Sequence, residues 1–283
     1  MTKDRVGRLT LRPAGALAAL VILSSPVASQ GHSEPQPLTV GETFTVASRI
    51  LGEVRTINVY RPPMYGDTAN LPRPVLYMPD GGIAEDFLHI AGLLQISIMN
   101  GTMRPFLLVG IENTERRRDL TGPTRVAKDS SIAHRVGGSA AFRRFIRTEL
   151  MPVIDARYRT TSESAIIGES LAGLFVVETF FHEPELFDTY IAVDPSLWWN
   201  DAHLLTEAQE ELRGEMYAGK VLYLTSSSET ELANLTSRLS SLLESAAPSA
   251  MTLEYVAMQQ ESHGTIYHPA ALAAFRRVFK PRN

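Results

Sequence analysis

Ala165-Ile166-Ile167 runs into Gly168-Glu169-Ser170-Leu171-Ala172-Gly173 and then into an apolar stretch. A serine with small residues two positions to either side, a strand before it and a helix after it, sits on a sharp turn that lifts its hydroxyl clear of a sheet edge. The same turn aims the Leu171 amide, and the positive end of the helix, at the place where negative charge grows on an attacked carbonyl. Ser170 in that setting is a nucleophile for acyl transfer, with Leu171 as one oxyanion donor. A serine that merely caps an ordinary helix is the plainer alternative. Ala172 replaces the second glycine of the strict motif, and its methyl group is small enough for the turn.

A serine nucleophile needs a base, which should follow it in the chain after an acid. Glu261-Ser262-His263-Gly264 follows the last strand-like run, which places His263 on a loop at the carboxyl end of a strand. His268 is the nearby rival, but it falls in the next helical segment just before Pro269. For the acid, the run Val221 to Thr225 leads into Ser226-Ser227-Ser228-Glu229-Thr230-Glu231. Glu229 is the first choice there, Glu231 the second, and Asp194 of Asp194-Pro195-Ser196 the third. The plainer reading of either glutamate is an acidic residue in a helix first turn. Pro79-Asp80-Gly81-Gly82-Ile83 makes Gly82 the candidate for a second oxyanion donor, against an ordinary glycine turn. Trp198 and Trp199, the chain's two tryptophans, line a substrate pocket or fill the core. Arg116-Arg117-Arg118 reads first as a solvated loop, with Arg116 as the candidate clamp for an anionic or catecholate group.

These residues need a frame to hold them. Phe44 to Leu51 and Val54 to Tyr60 alternate and are joined through Gly52-Glu53, which predicts an N-terminal hairpin. Val75 to Met78 and Phe106 to Ile111 are continuous apolar runs, as expected of strands buried on both faces. Phe142, Phe145, Ile146, Leu150, Val153 and Ile154 fall at helical spacing, with Pro152 expected to kink that helix or start its last turn. Strands at 165–167, 190–193, 221–225 and 253–258 then alternate with helices from Leu171 and over 201–218, 230–245 and 266–279. The pattern predicts an α/β fold: a mostly parallel sheet with helices on both faces and an antiparallel hairpin at the N-terminal edge. Such sheets place their chemistry at the carboxyl ends of the strands.

The 283 residues, 44% of them hydrophobic, suffice for one large domain, expected over 41–283. With no cysteine, disulfide scaffolds, thiolate nucleophiles and cysteine-ligated metals are excluded. A net charge of −4 argues against nucleic acid or an anionic membrane as partner. Lys3, Arg5, Arg8 and Arg12, an uncharged run from Ala14 to Leu23, and small residues at Val27 and Ser29 fit a cleavable export signal over 1–29. The apolar run is too short for a membrane span, so no stable anchor is expected. Removal of that segment takes away four basic residues and one acidic residue, moving the net charge from −4 to −7. Residues 30–40, polar and proline-containing, read as a flexible lead-in.

Val75-Leu76-Tyr77-Met78-Pro79-Asp80-Gly81-Gly82, Ile111-Glu112-Asn113-Thr114 with Arg118-Asp119-Leu120-Thr121, and the stretch Arg147 to Asp155 followed by Tyr158-Arg159-Thr160 join the serine turn in a wider pattern. With Pro195-Ser196-Leu197-Trp198-Trp199 and Ser262-His263-Gly264, the chain from about 40 to 280 resembles the putative-esterase group of α/β-hydrolases. That group contains enterochelin (catecholate siderophore) esterases and related exported esterases. The resemblance implies the α/β-hydrolase fold, Ser170 as nucleophile, His263 as base and an acid near Glu229, with Asp194 still open. It implies an exported, periplasmic or secreted serine esterase acting on a small-molecule ester through an acyl-enzyme, with no metal or cofactor required. An acyltransferase using the same acyl-enzyme and a non-catalytic ligand-binding protein on this fold are the alternatives.

Overall fold

The computed structural model describes residues 34–63, 71–211, 215–246 and 251–281. The expected export signal, residues 1–29, and the first part of the lead-in lie outside them. The chain divides into a unit of residues 1–38 and a unit of residues 39–283. In the first, residues 34–38 are described and hold no helix or strand.

The second unit begins with the hairpin, β1 (Glu42–Ser48) and β2 (Glu53–Tyr60), paired antiparallel about a turn where Gly52 takes a φ of 68°. Next come β3 (Arg73–Pro79), α1 (Phe87–Met99) and β4 (Leu107–Ile111), then two short helices, α2 (Arg116–Asp119) and α3 (Ala127–Ser130). The helix expected around Phe142 and Ile154 is present as α4 (Ser139–Phe145), a π-helical turn (Ile146–Leu150) and α5 (Met151–Arg157). Pro152 sits in the first turn of α5, and the wider π turn absorbs the ladder bond that a proline cannot donate. The remainder alternates: β5 (Thr160–Glu169), α6 (Leu171–His182), β6 (Thr189–Val193), α7 (Trp199–Glu211), β7 (Val221–Ser226), α8 (Thr230–Ala246), β8 (Thr252–Ala257) and α9 (Tyr267–Val278). The helix expected over 201–218 ends at Glu211 as α7; residues 212–214 lie outside the described residues, and Glu215–Tyr217 form a 3₁₀ turn.

The eight strands form one sheet in the order β1-β2-β4-β3-β5-β6-β7-β8. β1 and β2, and β2 and β4, pair antiparallel, and every other pair is parallel. Helices cover both faces, as the alternating pattern led us to expect. Val75 and Tyr77 of β3 join the core beneath α6, with Phe142, Phe175 and Phe180. Leu76 and Met78 point the other way, to Phe87 and Leu94 of α1 and Phe275 of α9. Burial on both sides is why these strands are apolar throughout rather than alternating. α1 itself carries no charged residue, so it gives no amphipathic signal of the kind that marks α9.

The central strands share a feature at their carboxyl ends. Asp80, Ser170 and Asp194 each follow the last residue of adjacent strands β3, β5 and β6, and all three take left-handed φ values of 57°, 59° and 44°. Non-glycine residues adopt this region rarely and at a cost, and they cluster where function dictates backbone direction. Three at one edge mark the place where the sheet turns its chain ends into a site.

Candidate active site

Ser170 sits at that edge between β5 and α6, with φ 59° and ψ −118°. The turn closes tightly: a Cβ on Gly168 would come 2.6 Å from the backbone of Ala172, and one on Gly173 would come 3.0 Å from the Val193 carbonyl oxygen. The Ser170 amide donates to the Val193 carbonyl at 3.0 Å, tying the turn to β6. Leu171 opens α6, so its amide is among the first-turn N–H groups that no helical carbonyl reaches.

His263 reaches the serine from the loop after β8. Its Nε2 lies 3.1 Å from Ser170 Oγ, and its Nδ1 lies 2.7 Å from Asp194 Oδ2. Nδ1–H donating to Asp194 leaves Nε2 unprotonated and able to accept the Ser170 hydroxyl proton. Asp194 is fully buried, and its second oxygen accepts the Ser227 amide at 2.8 Å. Burial works to raise the Asp194 carboxyl, but the hydrogen bonds from His263 and Ser227 outweigh it and hold it below the ordinary aspartate value. The bond from Asp194 pushes His263 above the ordinary imidazole value. Desolvation opposes that rise, and the charge of Glu169 adds to it. Ser196 stands beside Ser170, the two Oγ atoms 3.3 Å apart.

The carboxylate on the histidine is therefore Asp194 and not Glu229, the first choice from sequence. Glu229 is exposed, its amide donates to Ser227 Oγ at 3.2 Å, and it reaches His263 only as one of the weaker charges acting through space. The physical reason is backbone direction: the left-handed turn at Asp194 aims its side chain along the edge toward the His263 loop, while Glu229 precedes α8 on its solvent side. Glu231 lies further off, lining a depression with Trp198, Leu235 and Arg238.

Gly82 also differs from expectation. Its amide donates to Glu85 Oε2 at 2.7 Å, so it does not stand open as an oxyanion donor. Glu85 is held in turn by Asn113 Nδ2 at 2.8 Å. Trp199 is core: it is buried, and its indole N–H donates to the Gly122 carbonyl at 2.9 Å. Trp198 is half-buried beside it. Of the arginine run, expected as a solvated loop, Arg117 is exposed while its two neighbours are tied down. Arg116 forks onto Asp80 with two bonds of 2.7 Å, and Arg118 pairs with Glu53 and Asp119. Burial pushes the Glu169 carboxyl up to about 7, against the pull of the charges on His263 and Arg116. Glu169, passed over in the sequence reading, places Oε1 3.4 Å from His263 Nε2. Its one visible signal was an acidic residue next to the serine, at the end of a strand.

A serine on a strand-to-helix turn, hydrogen-bonded to a histidine and through it to a buried aspartate, at the carboxyl edge of a mostly parallel sheet, defines an α/β-hydrolase fold. The family model described as Putative esterase matches residues 48–268, and the chain belongs to that family. It is 32% identical over 194 residues to the siderophore triacetylfusarinine C esterase of Aspergillus fumigatus, covering 62% of each chain. It is 38% identical over 114 residues to the ferri-bacillibactin esterase BesA of Bacillus subtilis, covering 36% of this chain and 39% of that one. The matched region thus spans about three fifths of the first relative's length and less of the second's. Among solved structures, an IroE-like serine hydrolase from Shewanella oneidensis superposes with a TM-score of 0.77 at 28% identity, covering 85% of this chain and 80% of that one.

Proposed function

We propose that this chain is an exported serine esterase that hydrolyses carboxylic esters of the siderophore type. The observation that carries the proposal is the unbroken path Ser170 Oγ to His263 Nε2, then His263 Nδ1 to Asp194. Ser170 gives its proton to Nε2 as its oxygen attacks the ester carbonyl, and the Leu171 amide receives the growing negative charge. His263 passes the proton to the departing alcohol, leaving the acyl group on Ser170. A water then gives a proton to the same Nε2 and attacks the acyl carbon, and the acyl–Oγ bond breaks as His263 returns that proton to Ser170, releasing the acid. Asp194 fixes the imidazole tautomer and balances its charge in both halves.

The substrate class rests on kinship and on a basic cavity that shares Arg116 with the network around Asp80. Both curated relatives are named for siderophore esters. Arg116, Arg117, His134 and Arg135 line a cavity of about 440 Å³. The Arg117 guanidinium reaches only the Ile132 carbonyl among the described residues, which leaves its charge available to an anionic group of a substrate. Export rests on the sequence pattern of residues 1–29 alone.

Purified protein treated with a fluorophosphonate probe should carry one adduct, on Ser170. Ser170→Ala should abolish hydrolysis of a ferric catecholate or hydroxamate siderophore ester and of a small acyl ester alike. Turnover retained in Ser170→Ala overturns the mechanism; turnover of small esters alone overturns the substrate class. Protein recovered outside the cytoplasm should begin at Gln30 by intact mass.

A further inference from the structure

The histidine of this site has a carboxylate at each nitrogen. Asp194 Oδ2 lies 2.7 Å from Nδ1, and Glu169 Oε1 lies 3.4 Å from Nε2, the same nitrogen that faces Ser170 Oγ at 3.1 Å. The first contact belongs to any serine–histidine–acid arrangement; the second does not. With Nε2 unprotonated and Glu169 ionised, a lone pair faces a carboxylate oxygen and no proton lies between them. Once Ser170 has given up its proton, Nε2–H points between the serine oxygen and Glu169, and the carboxylate becomes its acceptor.

Resting on the triad reading above, we propose that Glu169 is a positioning residue for His263: it holds the imidazolium that forms each time the nucleophile or the water is deprotonated. The reacting proton stays on the path already described, Ser170 to Nε2 to the leaving alcohol. Glu169 takes none of it and stabilises its temporary carrier. The cost falls on the resting enzyme, where the same charge favours a protonated, idle histidine.

The surroundings keep Glu169 in this role. The carboxyl is mostly buried, and after His263 itself three further charges act on it. Arg116 on α2 draws it toward ionisation, while Asp80 and Asp86, after β3, oppose that. Arg116 is itself pinned on Asp80 by two hydrogen bonds. The Tyr267 phenol on α9 is held in its neutral form by desolvation and by Asp86, Asp80 and Glu169. On the histidine side stand Asp194 and the weaker charge of Glu229. Burial lifts the Glu169 carboxyl to about 7 while Asp194 raises the imidazole, and at 3.4 Å the charge on each group bears on the titration of the other.

The test follows the His263 ring protons by NMR across pH in the full chain and in Glu169→Gln, beside kcat/KM profiles for a small neutral ester. In the unsubstituted protein the His263 signal should show two inflections. In Glu169→Gln it should show one, lowered by about 1 pH unit, and the acid limb of kcat/KM should move with it. On the plateau, kcat should fall by about tenfold, the same unit expressed as lost imidazolium stabilisation. A single inflection in the unsubstituted protein, or an unmoved titration in Glu169→Gln, overturns the proposal. If Glu169→Gln does not fold, the two-inflection titration of the unsubstituted chain decides alone. The titration needs no turnover, so failure of Ser170 as nucleophile is scored separately by the probe experiment.

Discussion

Asp194 approaches His263 from a fully buried position, with one carboxylate oxygen 2.7 Å from Nδ1 and the other accepting the Ser227 amide. A carboxylate fixed at both oxygens holds the imidazole in one orientation and one tautomer. Asp194→Asn should therefore keep the fold and lower kcat by about 10⁴-fold, because the amide favours the wrong tautomer. Glu229→Gln, by contrast, should leave kcat unchanged within error. Steady-state kinetics of the two variants on one ester settles which acid serves; a large loss in Glu229→Gln would reverse the assignment.

The pH dependence follows from the same contact. His263 is raised above the ordinary imidazole value chiefly by its bond to Asp194. A general base works in its neutral form, so activity is lost as pH falls through that raised value. The acid limb of kcat/KM should lie above the ordinary histidine pKa and should move down in Asp194→Asn as far as residual activity permits measurement. An acid limb at or below the ordinary value would contradict the picture.

How much of this was readable beforehand depended on how local each signal is. Ser170 lies in a six-residue turn whose small residues are dictated by contacts of 2.6 and 3.0 Å within the turn and to the next strand, so sequence alone exposes it. His263 could be reached because chain order and a neighbouring glycine narrow the candidates to one loop. The acid could not. Glu229 and Asp194 both follow strands of the same sheet, and the choice between them lies in a left-handed φ at Asp194 and an amide from a neighbouring loop, neither of which is written in residue type. Gly82 misled for a related reason: two glycines allow an open amide, but Glu85, three residues on, turns back to occupy it. The arginine run looked solvated because two of its partners, Glu53 and Asp80, lie far up the chain. The sheet and its helices were legible because burial on both faces makes strands uniformly apolar, whereas α1, apolar on all sides, gave no period to read.

The serine turn makes its own stability prediction. Gly168→Ala would place a methyl group 2.6 Å from the Ala172 backbone, within the turn that sets the Ser170 side chain. The contact is with main chain, which cannot rotate away, so the strand and helix must part. The variant should lose about 1–3 kcal/mol of stability, the usual cost of overpacking. Labelling of Ser170 by a fluorophosphonate should slow with it. Equilibrium urea unfolding checks the first effect and the labelling rate the second; an unchanged midpoint with normal labelling would mean that the turn relaxes at no cost.

A second stability prediction concerns the strap beneath the arginine loop. The Arg55 guanidinium on β2 is fully buried, donating to Asp119, to Glu53 at 2.9 Å and to the Glu112 carbonyl at 2.8 Å, and Arg118 closes the network onto Glu53 and Asp119. This is what holds the loop from which Arg116 reaches Asp80. Asp119→Ala takes the buried carboxylate from a buried cation and leaves it only the partly exposed Glu53 as charged partner, and breaking a buried pair in this way costs about 3–5 kcal/mol. The urea midpoint at neutral pH should fall accordingly, and a fall no larger than that of an exposed substitution would refute it. Acid acts on the same network through Glu53. Glu53 is lowered to about 2, chiefly by its bond from Arg118. A depressed carboxyl stabilises the fold fully above its ordinary value, and that contribution drains away as pH falls from there toward 2. Glu53→Gln should accordingly flatten the loss of stability in that window while lowering the midpoint at pH 7.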